Sequence, residues 1–216
     1  MKLIDAIKNK KGSPYWIPDC FRDDLPKLFK TLNFKVGAEI GVSLGYNLET
    51  YCKAGFKMYG IDQWEDYEDE KYRPINALRR QGIVTTSFDD VYKLAKERLD
   101  KYPKCTLIKK MSIDAANDFP DNSLDFVYID GNHKYGYVAM DLMKWSHKVK
   151  KGGIIAGHDY YDVKGSRVNR GVKHAIDGFM KTYEIDNFYV LGRKNPIPGE
   201  KSERALSFMA FKHWNN

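Results

Sequence analysis

With 216 residues, 43% of them hydrophobic and 30% charged, the chain is long enough for one domain with a real core and is not a disordered composition. No apolar run approaches the roughly 20 residues that cross a bilayer, and the lysine-bearing N-terminus holds only a short apolar patch broken by Asp5, neither a leader nor an anchor. The formal charge of +7 admits a polyanionic partner such as RNA, yet the lysines are scattered through Lys8–Lys11, Lys109–Lys110 and Lys148–Lys151 without forming a stripe.

Taken in order, Met1–Asp19 reads as an N-terminal arm, because Pro14 and Pro18 flank Tyr15 and Trp16 and argue against helix or central strand. Residues 20–216 then make a single domain. Asp23 or Asp24 caps a helix with Pro26 in its first turn and Leu25, Leu28, Phe29 and Leu32 on one face. Val36–Gly45 (VGAEIGVSLG) is an apolar run that breaks into glycines, and helical spacing follows from Tyr46 to Ala54. Strand, glycine turn and helix N-terminus form a unit that lets backbone approach a nucleotide-like ligand. A second strand, Lys57–Ile61, ends in Asp62, whose carboxylate can accept from ribose hydroxyls. In the acid-rich loop beyond, Trp64 and Tyr67 either cover a ligand or simply pack. Helices are expected from Pro74 and from Ser87, the latter with an N-cap and acids in its first turn.

Cys105–Lys109 reads as the third strand, and Ser112 is expected to cap a helix over Ile113–Asp118. Leu124–Ile129 (LDFVYI) is a continuous apolar strand of the kind buried on both faces of a parallel sheet. A helix over Tyr135–Val149 and a turn at Lys151-Gly152-Gly153 lead to the fifth strand, Ile154–Gly157. After a helix over Gly171–Met180, Phe188–Leu191 and Leu206–Phe211 pair around a long connection containing Pro196-Ile197-Pro198-Gly199. The three cysteines show no CxxC spacing, which implies reduced thiols in a cytoplasmic protein and no zinc or disulfide framework.

Two strand ends carry acid and imidazole together: Asp130 with His133, and His158 with Asp159. In a parallel sheet both open on the edge that holds Gly41 and Asp62. Two carboxylates with oxygen co-ligands suit Mg²⁺ or Mn²⁺. Such an ion lowers the pKa of a bound hydroxyl, and a neutral histidine beside it takes the proton. The plainer alternative has Asp130 and Asp159 capping helices while His133 bonds locally.

Gly37, Glu39, Gly41 and Gly45 form GxExGxxxG, which resembles motif I of the class I S-adenosylmethionine (SAM) methyltransferases. The dinucleotide fingerprint GxGxxG is absent, which counts against a nicotinamide-dependent oxidoreductase. EIGVSLGY, SLDFVYIDGNHKYGYVAMDLMKW, VKKGGIIAGHDY and RGVKHAIDGF, in this order, resemble the branch related to sugar and macrolide O-methyltransferases, over roughly Val36 to Phe179.

The resemblance implies an α/β, Rossmann-like class I methyltransferase fold. Its sheet is seven-stranded and mostly parallel, with a C-terminal antiparallel hairpin and helices on both faces. It implies cofactor contacts by Glu39, Gly41, Ser43, Gly45, Asp62 and Asp130, with Met111 and Ser112 beside the adenine. Metal ligation is implied for Asp130, His158 and Asp159, with His133 and Asp130 as the catalytic pair and His133 the general base. The expected activity is SAM-dependent O-methylation of a sugar, glycan or small-molecule hydroxyl, with Mg²⁺ or Mn²⁺, in a protein that can form homo-oligomers. RNA methylation and a catalytically silent SAM-fold binding module are the alternatives. Two departures stand out: His158 is a softer ligand than an acid, and Met111 stands where an acid is common.

Overall fold

The computed structural model describes residues 3–8, 12–67, 87–161, 170–192 and 206–214. Among them the chain builds one eight-stranded sheet with helices on both faces. The strands are β1 (Gly12–Ile17), β2 (Val36–Ile40), β3 (Lys57–Asp62), β4 (Cys105–Lys109), β5 (Leu124–Ile129), β6 (Val149–Gly157), β7 (Asn187–Leu191) and β8 (Ser207–Phe211). The helices are α1 (Leu3–Ile7), α2 (Leu25–Thr31), α3 (Tyr46–Lys53), α4 (Phe88–Leu99), α5 (Ser112–Ala115), α6 (Tyr135–Lys148) and α7 (Arg170–Thr182).

Strand order is β1-β7-β8-β6-β5-β2-β3-β4. From β6 to β4 every neighbour is parallel. Only β8 runs against its neighbours, β6 and β7. The chain moves outward from β2 through β3 to β4 and then returns to the other side of β2 as β5. That reversal opens a crevice between the carboxyl ends of β2 and β5, the place where open α/β sheets bind ligands. Hydrogen bonds keep the ends in register: Gly41 N–H to Ile61 O at 2.8 Å, Asp130 N–H to Ile40 O at 2.8 Å, and His158 N–H to Ile129 O at 3.1 Å.

β5 lies at the centre, and its alternation divides the core. Phe126 and Tyr128 join the cluster under α1 to α4, while Val127 and Ile129 join the cluster under α5 to α7. The Phe126 ring packs 4.3 Å from Phe29 and 5.3 Å from Tyr51. A Cβ on Gly37 would sit 2.2 Å from that ring, so glycine in β2 is what lets Phe126 lie across it. Ser87 caps α4 as expected, accepting from Asp90 N–H at 3.2 Å.

Three expectations need correction. The segment read as an arm contributes β1, which makes eight strands instead of seven. β1 lies at the sheet edge, where a strand needs hydrogen bonds on one side only and proline is tolerated. Its pairing with β7 is irregular between Gly12 and Tyr15, where Pro14 falls. Second, Ser112 caps nothing: Met111 holds the N-cap position of α5 without a side-chain bond. Third, β6 begins at Val149, directly after α6. The expected turn lies inside the strand with Gly152 at φ +82°, and regular pairing with β5 resumes at Ile154. The helix expected from Pro74, the loop at 162–169 and the connection at 193–205 lie outside the described residues. No helix among the described residues is long and apolar enough to cross a membrane.

Candidate active site

The glycine turn is shaped by three consecutive demands on the backbone. Gly41 sits at φ +87°, Ser43 at +49° and Gly45 at +78°. A Cβ at Gly41 would stand 2.2 Å from Asp130 O, so the ends of β2 and β5 approach as closely as they do only because Gly41 has none. Gly45 occupies the N-cap of α3, and a Cβ there would strike Leu99 Cδ1 at 2.7 Å. Asp62, at the end of β3, secures the turn from the other side: Oδ2 accepts from Ser43 N–H at 2.9 Å and Oδ1 from Trp64 N–H at 2.8 Å. Burial raises the Asp62 pKa, and these backbone donors partly offset it. Each oxygen still has acceptor capacity for a ligand hydroxyl. Trp64 is fully buried and donates Nε1–H to Ser43 O at 2.9 Å, so it packs under the turn and also lines the cavity.

Glu39 is the least comfortable group at this edge. It is 2% exposed, and its Oε2 has no hydrogen-bond partner. Burial raises its pKa well above the ordinary carboxylate range, and the charge of Asp130 adds to this. The Asn47 amide nearby lowers it somewhat, but Asn47 Nδ2 also lacks a hydrogen-bond partner. A buried acceptor left unmet costs about 1–3 kcal/mol. A ligand that brings a donor or a positive charge removes that cost.

Across the crevice stand the two strand-end clusters. His133 Nε2 lies 2.9 Å from Asp159 Oδ2 and 3.9 Å from Asp130 Oδ1. His158 Nδ1 lies 3.6 Å from Asp159 Oδ2 and 3.9 Å from Asp130 Oδ2. Burial disfavours the imidazolium of His133, but the carboxylates of Asp130 and Asp159 outweigh it and push its pKa up to about 10. His158 is likewise raised, with burial opposing and Asp159 and Asp130 prevailing. Burial also opposes ionisation of Asp159, yet both histidines hold its carboxyl well below the usual range. The two carboxylates thus favour the imidazolium form of His133, where the sequence reading assigns a neutral base.

Glu39, Gly41, Ser43, Asp62, Asp130 and His133 all line one cavity of about 310 Å³. Met111 and Ser112 line a smaller one of about 30 Å³, which shares Gly41, Asp62, Tyr67 and Gly131 with the first. Gly45, His158 and Asp159 line neither, and the last two meet the crevice through His133 and Asp130. One ligand atom each from Asp130, His133 and Asp159 falls within a mutual 4.8 Å. That donor set fits a divalent cation, with His133 where His158 was expected. Cation entry there has to break the His133–Asp159 ion pair. A larger groove of about 930 Å³ beside Trp16, Tyr160 and Lys173 contains neither the glycine turn nor the acid–imidazole cluster, so its size does not make it the site.

Sequence reasoning passed over Asn47, Asn132 and Asp141. The available signal for Asp141 was an acid among Val138, Leu142 and Trp145, the core-facing positions of α6.

A family model described as a methyltransferase domain matches residues 34–160, more than half of the chain. A curated relative, the uncharacterized protein y4gI of Sinorhizobium fredii, is 23% identical over 133 residues, covering 56% of this chain. The chain spans only 12% of that relative's length.

Solved structures give the same fold at low identity. A provisionally assigned caffeoyl-CoA O-methyltransferase from Staphylococcus aureus has TM-score 0.59 and 15% identity, covering 88% of this chain and 82% of that one. The tRNA (m1A58) methyltransferase TrmI from Aquifex aeolicus has TM-score 0.59 and 13% identity, covering 89% and 69%. SMU.1697c from Streptococcus mutans, solved in complex with SAH, has TM-score 0.53 and 14% identity, covering 82% and 88%.

Proposed function

The chain belongs to the methyltransferase-domain family, and on that premise we propose that its crevice binds SAM and serves O-methylation of a small-molecule or carbohydrate acceptor. One observation carries the reading. A buried carboxylate with one oxygen unpaired, a glycine turn and the Asp130–His133 part of the acid–imidazole cluster line the same cavity at the point where strand order reverses. SAM, when bound, supplies an electrophilic methyl group on a sulfonium cation.

The protein's own groups do the rest. Glu39 meets the positively charged amino end of the cofactor, and ionises as that charge arrives. Asp62, already fixed by Ser43 and Trp64, offers its remaining lone pairs to ribose hydroxyls. Beside His133, Asp130 and Asp159 would hold a Mg²⁺ or Mn²⁺ ion, which supplies Lewis acidity toward the acceptor oxygen. His133 can accept a proton only when the two carboxylates that keep it charged are engaged elsewhere. Cation binding to Asp130 and Asp159 is such an engagement, so ion and base are coupled in this reading. Catalysis comes mainly from positioning and from charge stabilisation on the nucleophile.

Methylation of RNA is the second reading, favoured by the net charge of +7. Specific RNA binding persists at roughly 200 mM salt, whereas nonspecific attraction is largely lost.

Isothermal titration of the purified protein with S-adenosylhomocysteine (SAH) tests the cofactor assignment, and transfer of labelled methyl from SAM to a panel of hydroxyl acceptors tests the chemistry. Saturable 1:1 binding, with transfer abolished by excess chelator and restored by Mg²⁺ or Mn²⁺, is the expected result. Absence of SAH binding would overturn the cofactor assignment. Full transfer in chelator would remove the metal.

A further inference from the structure

The glycine turn keeps its shape through side chains that reach it from elsewhere in the fold. Gly45 N–H closes it onto Val42 O at 2.8 Å, and within it Ser43 holds a left-handed backbone at φ +49° without being glycine. A non-glycine residue in that region is unfavourable and persists only where its surroundings over-determine it. Asp62, at the end of β3, and Trp64 just beyond it hold the Ser43 N–H and carbonyl. The next carbonyl is held by α4: Arg98 Nε–H donates to Leu44 O at 2.9 Å. Leu99, beside it on α4, packs where a Cβ on Gly45 would stand.

Arg98 reaches α3 as well. Its guanidinium carbon lies 3.7 Å from the centre of the Tyr46 ring, a cation–π contact, and Nη1 lies 3.7 Å from Glu49 Oε2. The ion pair is the lesser of the two contacts, because Lys101 at 2.9 Å and Lys53 at 3.1 Å already neutralise Glu49. Tyr46 opens α3, is 60% exposed and lines the crevice. Leu44 lines it too, whereas Arg98 does not. One side chain outside the crevice thus fixes two residues of its wall. A guanidinium suits both tasks, since its N–H groups lie in the plane whose face covers the ring; a lysine ammonium is a compact point charge.

We propose that Arg98 is a positioning residue for cofactor binding, holding the Leu44 carbonyl and the Tyr46 ring so that the turn is already shaped when the methyl donor arrives. The assignment rests on the cofactor reading above and extends the cradle to α4, outside the strand–turn–helix unit. Without the Arg98 contacts, forms in which Ser43 leaves the left-handed region become populated. Apparent affinity then falls with the fraction that stays competent, so a turn about one-tenth competent binds about tenfold more weakly.

The test measures SAH binding by calorimetry, and unfolding in urea, on the intact wild type, Arg98→Lys and Arg98→Met. Arg98→Lys keeps a cation near Glu49 but cannot serve Leu44 O and cover Tyr46 together, while Arg98→Met keeps only an apolar stem. Both variants should bind SAH about 10-fold or more weakly, and Arg98→Lys should unfold at the wild-type urea midpoint. A residue that serves only the core gives another pattern: affinity holds wherever the protein is folded, or falls only in step with the midpoint. Wild-type SAH affinity in Arg98→Lys, or a loss of affinity matched by a lowered midpoint, would overturn the inference and leave the cofactor reading standing. A wild type that binds no SAH overturns both. Arg98→Lys decides alone if Arg98→Met does not fold.

Discussion

Replacing Asp159 with asparagine is expected to slow methyl transfer by at least about 100-fold, while SAH affinity stays within a few-fold. Asparagine is the informative substitution because Asp159 sits at φ +59°, a left-handed conformation that asparagine tolerates and alanine does not. The variant therefore removes the charge and keeps the backbone.

Two consequences follow for metal-free protein. The buried pair with His133 is broken, at a cost of roughly 3 kcal/mol. The pH dependence of stability also changes. The folded pKa of His133, about 10, lies above its ordinary value of 6.5. Its contribution is therefore fully present below about 6.5 and is lost as pH rises toward 10. Asp159 is held below its ordinary 3.8, so the same pair loses its contribution again as pH falls through the acid range. Denaturant unfolding in chelator at several pH values should show wild-type stability declining between about pH 6.5 and 10. The slope should be much flatter in Asp159→Asn. Identical slopes would show that the pair does not form.

Gly41→Ala should have the other large effect. At φ +87° any Cβ is strained, and here it would also stand 2.2 Å from Asp130 O and 2.5 Å from Gly131 Cα. Backbone cannot swing aside as a long side chain can, so β2 and β5 must separate at the crevice. Stability should fall by at least about 2 kcal/mol, and transfer by about 100-fold, because Glu39 and Asp130 lie on the two strand ends being displaced. Gly55→Ala is the matched control. Gly55 has φ +90° but nothing within 4 Å of its added Cβ, so it carries the backbone strain of about 1–2 kcal/mol alone. Activity normal in Gly55→Ala and lost in Gly41→Ala assigns the effect to the close approach. Equal losses in both would assign it to strain.

What the sequence made legible is what local patterns encode. The glycines of VGAEIGVSLG marked a turn where backbone approaches closely, and at Gly41 a Cβ would stand 2.2 Å from Asp130 O. The apolar residues that follow Asp125 in LDFVYI marked the strand buried on both faces. Ser87 with its following acids marked the start of α4. The strand ends at Asp130 and Asp159 were visible because each follows a short apolar run.

What was hidden depends on contacts across the sheet. β1 was masked by Pro14 within it and Pro18 just beyond, which forbid a central strand but permit an edge, and nothing local announces an edge. The bond from Ser112 to Asp141 joins the first residue of α5 to α6, 29 residues along the chain. Without that contact Ser112 looked like a helix cap. The raised pKa of His133 follows from its 2.9 Å approach to Asp159 on the neighbouring strand end, against the effect of burial, and no spacing rule supplies that distance.

The central claim is that donor and acceptor meet between the ends of β2 and β5. A crystal structure of the protein with SAH and Mn²⁺ tests it most directly. The account predicts the homocysteine amino group against Glu39, the ribose hydroxyls against Asp62, and the ion between Asp130 and Asp159. SAH in the groove beside Trp16 and Tyr160, or in the crevice with its ribose turned away from Asp62 and the ion elsewhere, would contradict it.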